Sequence, residues 1–207
     1  MKWSADPENL KMIEALVNAK APSGFEDETI AAARPYAEPI GPLKEDHLRN
    51  FYIGRHANTG GKPLLMLDAH SDEVGFMVHS IHENGTLRFV TIGGWNLNTL
   101  PSSKVLVRNA LGEYIPGIIA AKPLHFMSAG ERNNPVLEQK SLIIDIGACS
   151  KEEAVSDFHI RIGEPVVSDV RFSYDHEHDI MMGKGFDCRI GCAALLETMR
   201  RLKDEAL

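Results

Sequence analysis

Residues Leu64 to Val78, LLMLDAHSDEVGFMV, constrain the chain more than any other stretch. Leu64 to Asp68 is a nearly unbroken apolar run bounded by Pro63 and a polar cluster, which predicts a short strand buried on both faces, as in a central parallel sheet. Such a strand delivers His70 and Asp72 to its carboxyl end, where open α/β sheets bind their ligands. His70 can ligate a metal through one ring nitrogen while Asp72 holds the other and fixes the tautomer. The same spacing also suits a strand-end turn with solvated acids, and spacing alone leaves both readings open.

A chain of 207 residues with 43% hydrophobic content can bury a core, as one large domain or two small ones. A formal net charge of -7 without a long basic cluster argues against nucleic acid as the main partner. No apolar run approaches the roughly 20 residues of a membrane span. The amino terminus carries Asp6 and Glu8 instead of a signal-peptide pattern, so a soluble, cytoplasmic protein is expected, with no membrane partner. Cys149, Cys188 and Cys192 are too few and odd in number for a disulfide framework and read as free thiols.

In chain order, Leu10, Ile13, Leu16 and Val17 give one apolar face to a helix from Pro7 to Lys20, which ends before the turn Pro22-Ser23-Gly24. A second helix is expected from Glu26 to Ala37, opened by three acids that suit its positive end. His47 to Arg55 alternates like an edge strand, and Asn58-Thr59-Gly60-Gly61 reads as a turn. From Val74 to Val167 short β-prone runs recur between turn signals such as Asn84-Gly85 and Gly93-Gly94, predicting a small antiparallel barrel or sandwich inserted into an α/β domain. Ser150 with Glu153 caps one short helix there, and Pro165 to Val170 returns as a strand. Ile190, Ala194, Leu195, Met199 and Leu202 mark the expected apolar face of a last helix. Asp187, just before it, reads as an ordinary cap or as a carboxylate able to bridge two cations.

Five ordered stretches then carry a resemblance. AHSDEVGFMV, IGGW at 92–95, IPGIIAAKP at 115–123, LIIDIGACSKEEA at 142–154 and GKGFDCRIGCAALLE at 183–197, with PSGFEDE at 22–28, are similar to the tetrahedral, or glutamyl-aminopeptidase, family of metallopeptidases, also labelled cellulase or endoglucanase M. The resemblance implies an α/β, zinc-peptidase-like (phosphorylase/hydrolase-like) three-layer domain in residues 1–71 and 166–207. It implies an inserted β-rich, barrel-like dimerisation domain in residues 72–165, through which the family assembles from dimer to dodecamer. It also implies two divalent metal ions, zinc or cobalt, that activate a water against the first peptide bond of an oligopeptide. By matching position His70 is a metal ligand, Asp72 the catalytic residue that orients it, and Asp187 the metal-bridging ligand.

The match covers the family's amino-terminal part only. The paired glutamates, one of them the general base, and the later Asp and His ligands have no counterpart here, so the α/β domain is expected to be truncated, inactive alone, and able to hold at most one weakly bound metal. Cys188 stands where the family usually has Asp or Asn, and the Asp187-Cys188 peptide, cis in the family, is expected to relax to trans. Leu65, Leu67, Leu195 and Met199 are expected to be exposed unless a partner covers them. A non-catalytic assembly subunit and a glycoside hydrolase are the alternatives, the latter needing a carboxyl pair that nothing marks out. Asp175-His176-Glu177-His178-Asp179 reads as a solvated strand or turn, Cys188 and Cys192 as core residues, and His79 and His82 as solvent-facing. His125, in KPLHF, is a weaker candidate for approaching a site across a subunit contact.

Overall fold

The computed structural model describes residues 6–54, 63, 65–128, 130, 132 and 137–204. The chain divides into two compact units, Met1–Glu73 with Val170–Leu207, and Val74–Asp169.

In the first unit, helix α1 (Pro7–Asn18) starts where Asp6 accepts a 3.0 Å hydrogen bond from the Glu8 N–H, with proline in its first turn. It buries Met12, Ile13, Leu16 and Val17. Helix α2 (Asp27–Ala37) sets Ala33 and Ala37 into the same core. Strands β1 (Leu43–Glu45) and β2 (Phe51–Ile53) form an antiparallel hairpin. The edge strand expected from His47 is therefore shorter. Asp46 accepts from the N–H groups of Leu48 and Asn50 and turns the chain through Arg49, whose φ is 66°. Arg55 and the turn at 58–61 lie outside the described residues.

Of the central strand expected at Leu64 to Asp68, the described residues 65–68 form no strand. Leu64 lies outside the described residues, and 65–70 have no strand partner among them. A parallel strand needs neighbours to hydrogen-bond it and covered faces to bury it. Here Leu65, Met66 and Leu67 are 80%, 76% and 46% exposed. Among the described residues the parallel contact is a single bridge between Pro22 and Glu73.

The second unit is a closed antiparallel barrel of six strands. They are β3 (Gly75–Ile81), β4 (Leu87–Ile92), β5 (Lys104–Arg108), β6 (Tyr114–Ala120), β7 (Ile143–Asp145) and β8 (Pro165–Ser168), in the order β3-β4-β7-β6-β5-β8. Closure leaves no unpaired edge. Phe76, Val78, Leu87, Phe89, Val105, Val107, Ile119, Ile144 and Val166 fill the interior. Trp95 stacks on Phe76 at 4.6 Å and donates to the Gly75 carbonyl at 3.0 Å. Gly85 turns β3 into β4 with φ +84°, and a Cβ there would lie 2.4 Å from the Ala148 carbonyl oxygen. Helix α3 (Lys151–Ser156) is capped as its sequence predicts: Ser150 accepts from the Glu153 N–H at 3.1 Å while Glu153 accepts from the Cys149 N–H at 2.8 Å. The segment at 165 closes this barrel, so the chain returns to the first unit only after Asp169.

Back in the first unit, β9 (Ser173–Asp175) and β10 (Ile180–Met182) pair as a hairpin. Helix α4 (Phe186–Leu202) then packs on α1, but not with the expected face. Its buried residues are Arg189, Cys192, Ala193, Leu196 and Glu197, while Ala194 is exposed and Ile190, Leu195, Met199 and Leu202 are half-buried. Two charged residues sit on the inner face because each is matched by partners, which apolar periodicity does not register. No helix among the described residues is long and apolar enough to cross a membrane.

Candidate metal centre

The buried Arg189 positions the site. Its guanidinium donates to the carbonyls of Val17 (3.2 Å) and Ala19 (2.7 Å) at the C-terminal end of α1, to Ala21 (3.4 Å), and to Ser71 (3.1 Å) between His70 and Asp72. A cation there suits the negative end of the helix dipole. Glu73 supplies the counter-charge, accepting from Arg189 (3.4 Å), from Lys184 and from the Ala21 N–H (3.2 Å). Burial pushes the Lys184 and Arg189 pKa values down, and Glu73 opposes that shift for both. Arg189 lies two residues after Asp187, so one side chain fixes the 69–73 segment against the start of α4.

That arrangement brings three sequence-identified residues together. His70 Nδ1 lies 3.1 Å from Asp72 Oδ1, and His70 Nε2 lies 3.2 Å from Asp187 Oδ1. Asp72 is held from its other oxygen by the Ser23 hydroxyl, which gives the turn after α1 a role at the site. A carboxylate on Nδ1 leaves Nε2 as the ligating nitrogen, the pattern in which an outer carboxylate orients a metal-bound histidine. Asp187 does not cap α4. The N-cap is Gly185, without a side-chain bond, and the Asp187 side chain is 98% exposed apart from its contact with His70. The Asp187-Cys188 peptide is cis, which corrects the expected relaxation to trans.

Ligand atoms of His70, Asp187 and Cys188 all lie within 4.8 Å of one another, so the donors present fit a divalent cation. The two thiols separate here. Cys192 is buried, its sulfur 3.3 Å from the His70 carbonyl and 3.8 Å from that of Ala69, and burial pushes its pKa up to about 11. As a protonated thiol it steadies the backbone at His70. Gly191 makes room, since a Cβ there would meet Cys188 Sγ at 2.5 Å and Ala69 Cβ at 3.2 Å. Ser23, Glu73, Lys184, Cys188, Arg189 and Gly191 were not singled out for the site by sequence. The available signal was their place inside the stretches that carry the resemblance: Ser23 in PSGFEDE, Glu73 in AHSDEVGFMV, and the other four in GKGFDCRIGCAALLE.

The other candidates stay apart from chemistry. Asp175 to Asp179 forms the β9–β10 turn, where Asp175 accepts from the N–H groups of Glu177 and His178 and pairs with the His178 ring at 2.8 Å. The hydrogen bond from His178 holds Asp175 below the usual carboxylate range. His79 and His125 are exposed, whereas His82 is half-buried with Nδ1 3.0 Å from the Thr86 hydroxyl.

One unit is a closed six-stranded barrel and the other brings a histidine and two aspartates together, and comparison with known proteins gives the family. Residues 50–207 match the M42 glutamyl aminopeptidase family, and the chain belongs to that family. It is 35% identical to FrvX of Escherichia coli (strain K12) over 95% of this chain and 54% of that one. The crystal structure of a TET aminopeptidase from Thaumarchaeota archaeon SCGC AB-539-E09 superposes with a TM-score of 0.88 at 37% identity, covering 96% of this chain and 55% of that one. The TET1 peptidase of Pyrococcus horikoshii, described as assembling into a tetrahedron or a large octahedral shell, gives a TM-score of 0.80 at 28% identity over 95% of this chain and 57% of its own. The chain spans about half the length of these relatives.

Proposed function

We propose that this chain contributes the His70, Asp72 and Asp187 part of the active site of a metal-dependent aminopeptidase that removes amino-terminal residues from oligopeptides. The observation that carries the reading is the Asp72–His70–Asp187 chain of contacts at 3.1 and 3.2 Å, in a chain belonging to the M42 family. His70 Nε2 and Asp187 would hold a divalent cation, zinc or cobalt. When bound, such an ion lowers the pKa of a water and stabilises negative charge developing on the attacked carbonyl oxygen. Asp72 keeps the His70 ring in one tautomer, and Ser23 keeps Asp72 in place.

Among the described residues, each carboxylate brought to this site is committed: Asp72 to His70 and Ser23, Glu73 to Lys184 and Arg189, Asp187 to His70. None remains to take a proton from water as general base. The 207 residues by themselves are therefore a metal-binding, assembling part of the enzyme without turnover, holding at most one of the family's two ions. The barrel, Val74–Asp169, is the inserted assembly domain, and peptide substrate and further copies are the partners.

The test is a chimera. Residues 65–197 replace their counterparts in the Thaumarchaeota aminopeptidase, and the product is assayed on aminoacyl anilides and carboxymethylcellulose. We expect anilide cleavage that His70→Ala and Asp187→Asn each abolish. Hydrolysis of the cellulose, or anilide cleavage indifferent to His70→Ala, overturns the proposal.

A further inference from the structure

We infer that Cys188 is a third metal ligand, giving this chain a single-ion site of one imidazole nitrogen, one carboxylate oxygen and one thiolate sulfur. The inference rests on His70 and Asp187 being ligands, and adds a donor where the family usually carries Asp or Asn. A tetrahedral zinc ion with bonds of about 2.0 to 2.3 Å places its ligand atoms roughly 3.3 to 3.8 Å apart. The donor atoms of His70, Asp187 and Cys188 span no more than 4.8 Å, so side-chain adjustments of about an ångström close them on one ion. Cys188 is the thiol placed for this. Cys192 Sγ is taken up by the Ala69 and His70 carbonyls, and Cys149 lies in the barrel unit. The hydrogen of Gly191 leaves space for the Cys188 sulfur, which any side chain there would displace.

Three protein donors with a fourth position open is the ordinary count for a reactive zinc site, whereas His70 and Asp187 alone fall one short. A thiolate also changes selectivity. It favours zinc and other soft or borderline cations over magnesium and manganese, which carboxylate-rich sites accept. As sulfur takes the cation, the thiol proton passes to solvent, so one proton is released from Cys188 for each ion bound.

Cobalt(II) reports the sulfur directly, because a thiolate bound to it adds a charge-transfer absorption in the near ultraviolet that nitrogen and oxygen donors do not. The reduced 207-residue chain, titrated with cobalt(II), should develop that band to saturation at one equivalent, and zinc should displace it. Cys188→Ser and His70→Ala should abolish the band. Cys149→Ala should keep it. Cys188→Asp, which restores a family-type residue, should bind cobalt without the band and lose the preference for zinc over magnesium and manganese. Cobalt bound to the unaltered chain with no thiolate band overturns Cys188 as a ligand and leaves His70 and Asp187 standing. A band that survives Cys188→Ser assigns the sulfur elsewhere and also overturns the inference. Failure to bind cobalt or zinc at all removes the three ligands together, and with them the metal site proposed above.

Discussion

At the scale of single residues, two buried charges hold the first unit in shape. Arg189 is fully buried and donates to four backbone carbonyls and Glu73. Removing its guanidinium takes a donor from each of those carbonyls, of which Ala19 keeps Lys184, and leaves Glu73 with Lys184 as its one counter-charge beside the Ala21 N–H. Arg189→Met should therefore lower the free energy of unfolding by about 3 to 5 kcal/mol in urea titrations. Arg189→Lys should recover only part of that, since one ammonium cannot span the same acceptors. Glu197 is 6% exposed on α4, and hydrogen bonds from Arg200 and then Arg201 bring its pKa from 4.5 down to about 2. A depressed carboxyl pKa gives stability that is present above the unfolded value, near 4.5, and lost as pH falls through about 2. The two arginines are more than half exposed, so screening reduces this to about 1 to 2 kcal/mol. Unfolding measured from pH 6 to pH 2 should show wild type converging on Glu197→Gln at the acid end.

At the scale of elements, what was legible depended on whether the signal was local. Helices α1 and α3 and the barrel strands follow from periodicity, caps and turn residues, all of which lie within a few positions of one another. Segment 65–68 has a strand's composition but no neighbouring strand to bond it among the described residues, and composition cannot supply one. The inner face of α4 was misread for the opposite reason: Arg189 and Glu197 are polar in sequence yet buried, because carbonyls on α1 and arginines one turn on satisfy them. His70, Asp72 and Asp187 are singled out by motif resemblance, and the fold brings the three side chains together. The contribution of Ser23, Gly191 and Cys188 was not legible, since each acts through a three-dimensional neighbour. Gly191→Ala should push on Cys188 and Ala69, destabilising the chain by about 1 to 3 kcal/mol and weakening metal binding together. In the barrel, Phe76 packs on Trp95 and Phe89, and Phe76→Ala should cost about 3 to 5 kcal/mol in unfolding experiments.

At the scale of the whole molecule, the site and an apolar surface lie on the same stretch of chain. Leu65 and Met66, a few residues before His70, are 80% and 76% exposed, a run that favours association with another surface. Light scattering should show concentration-dependent self-association that Leu65→Lys with Met66→Lys reduces. A variant as associated as wild type would place the contact elsewhere. The proposed metal centre rests on His70 and Asp187 as ligands, with Asp72 orienting the histidine. Calorimetric titration of the dialysed 207-residue chain with zinc tests it most directly. Saturation should come at no more than one equivalent, binding should be lost in His70→Ala and Asp187→Asn, and it should be weaker in Asp72→Asn. Two equivalents bound, or zinc affinity unchanged in His70→Ala, would contradict the proposed centre.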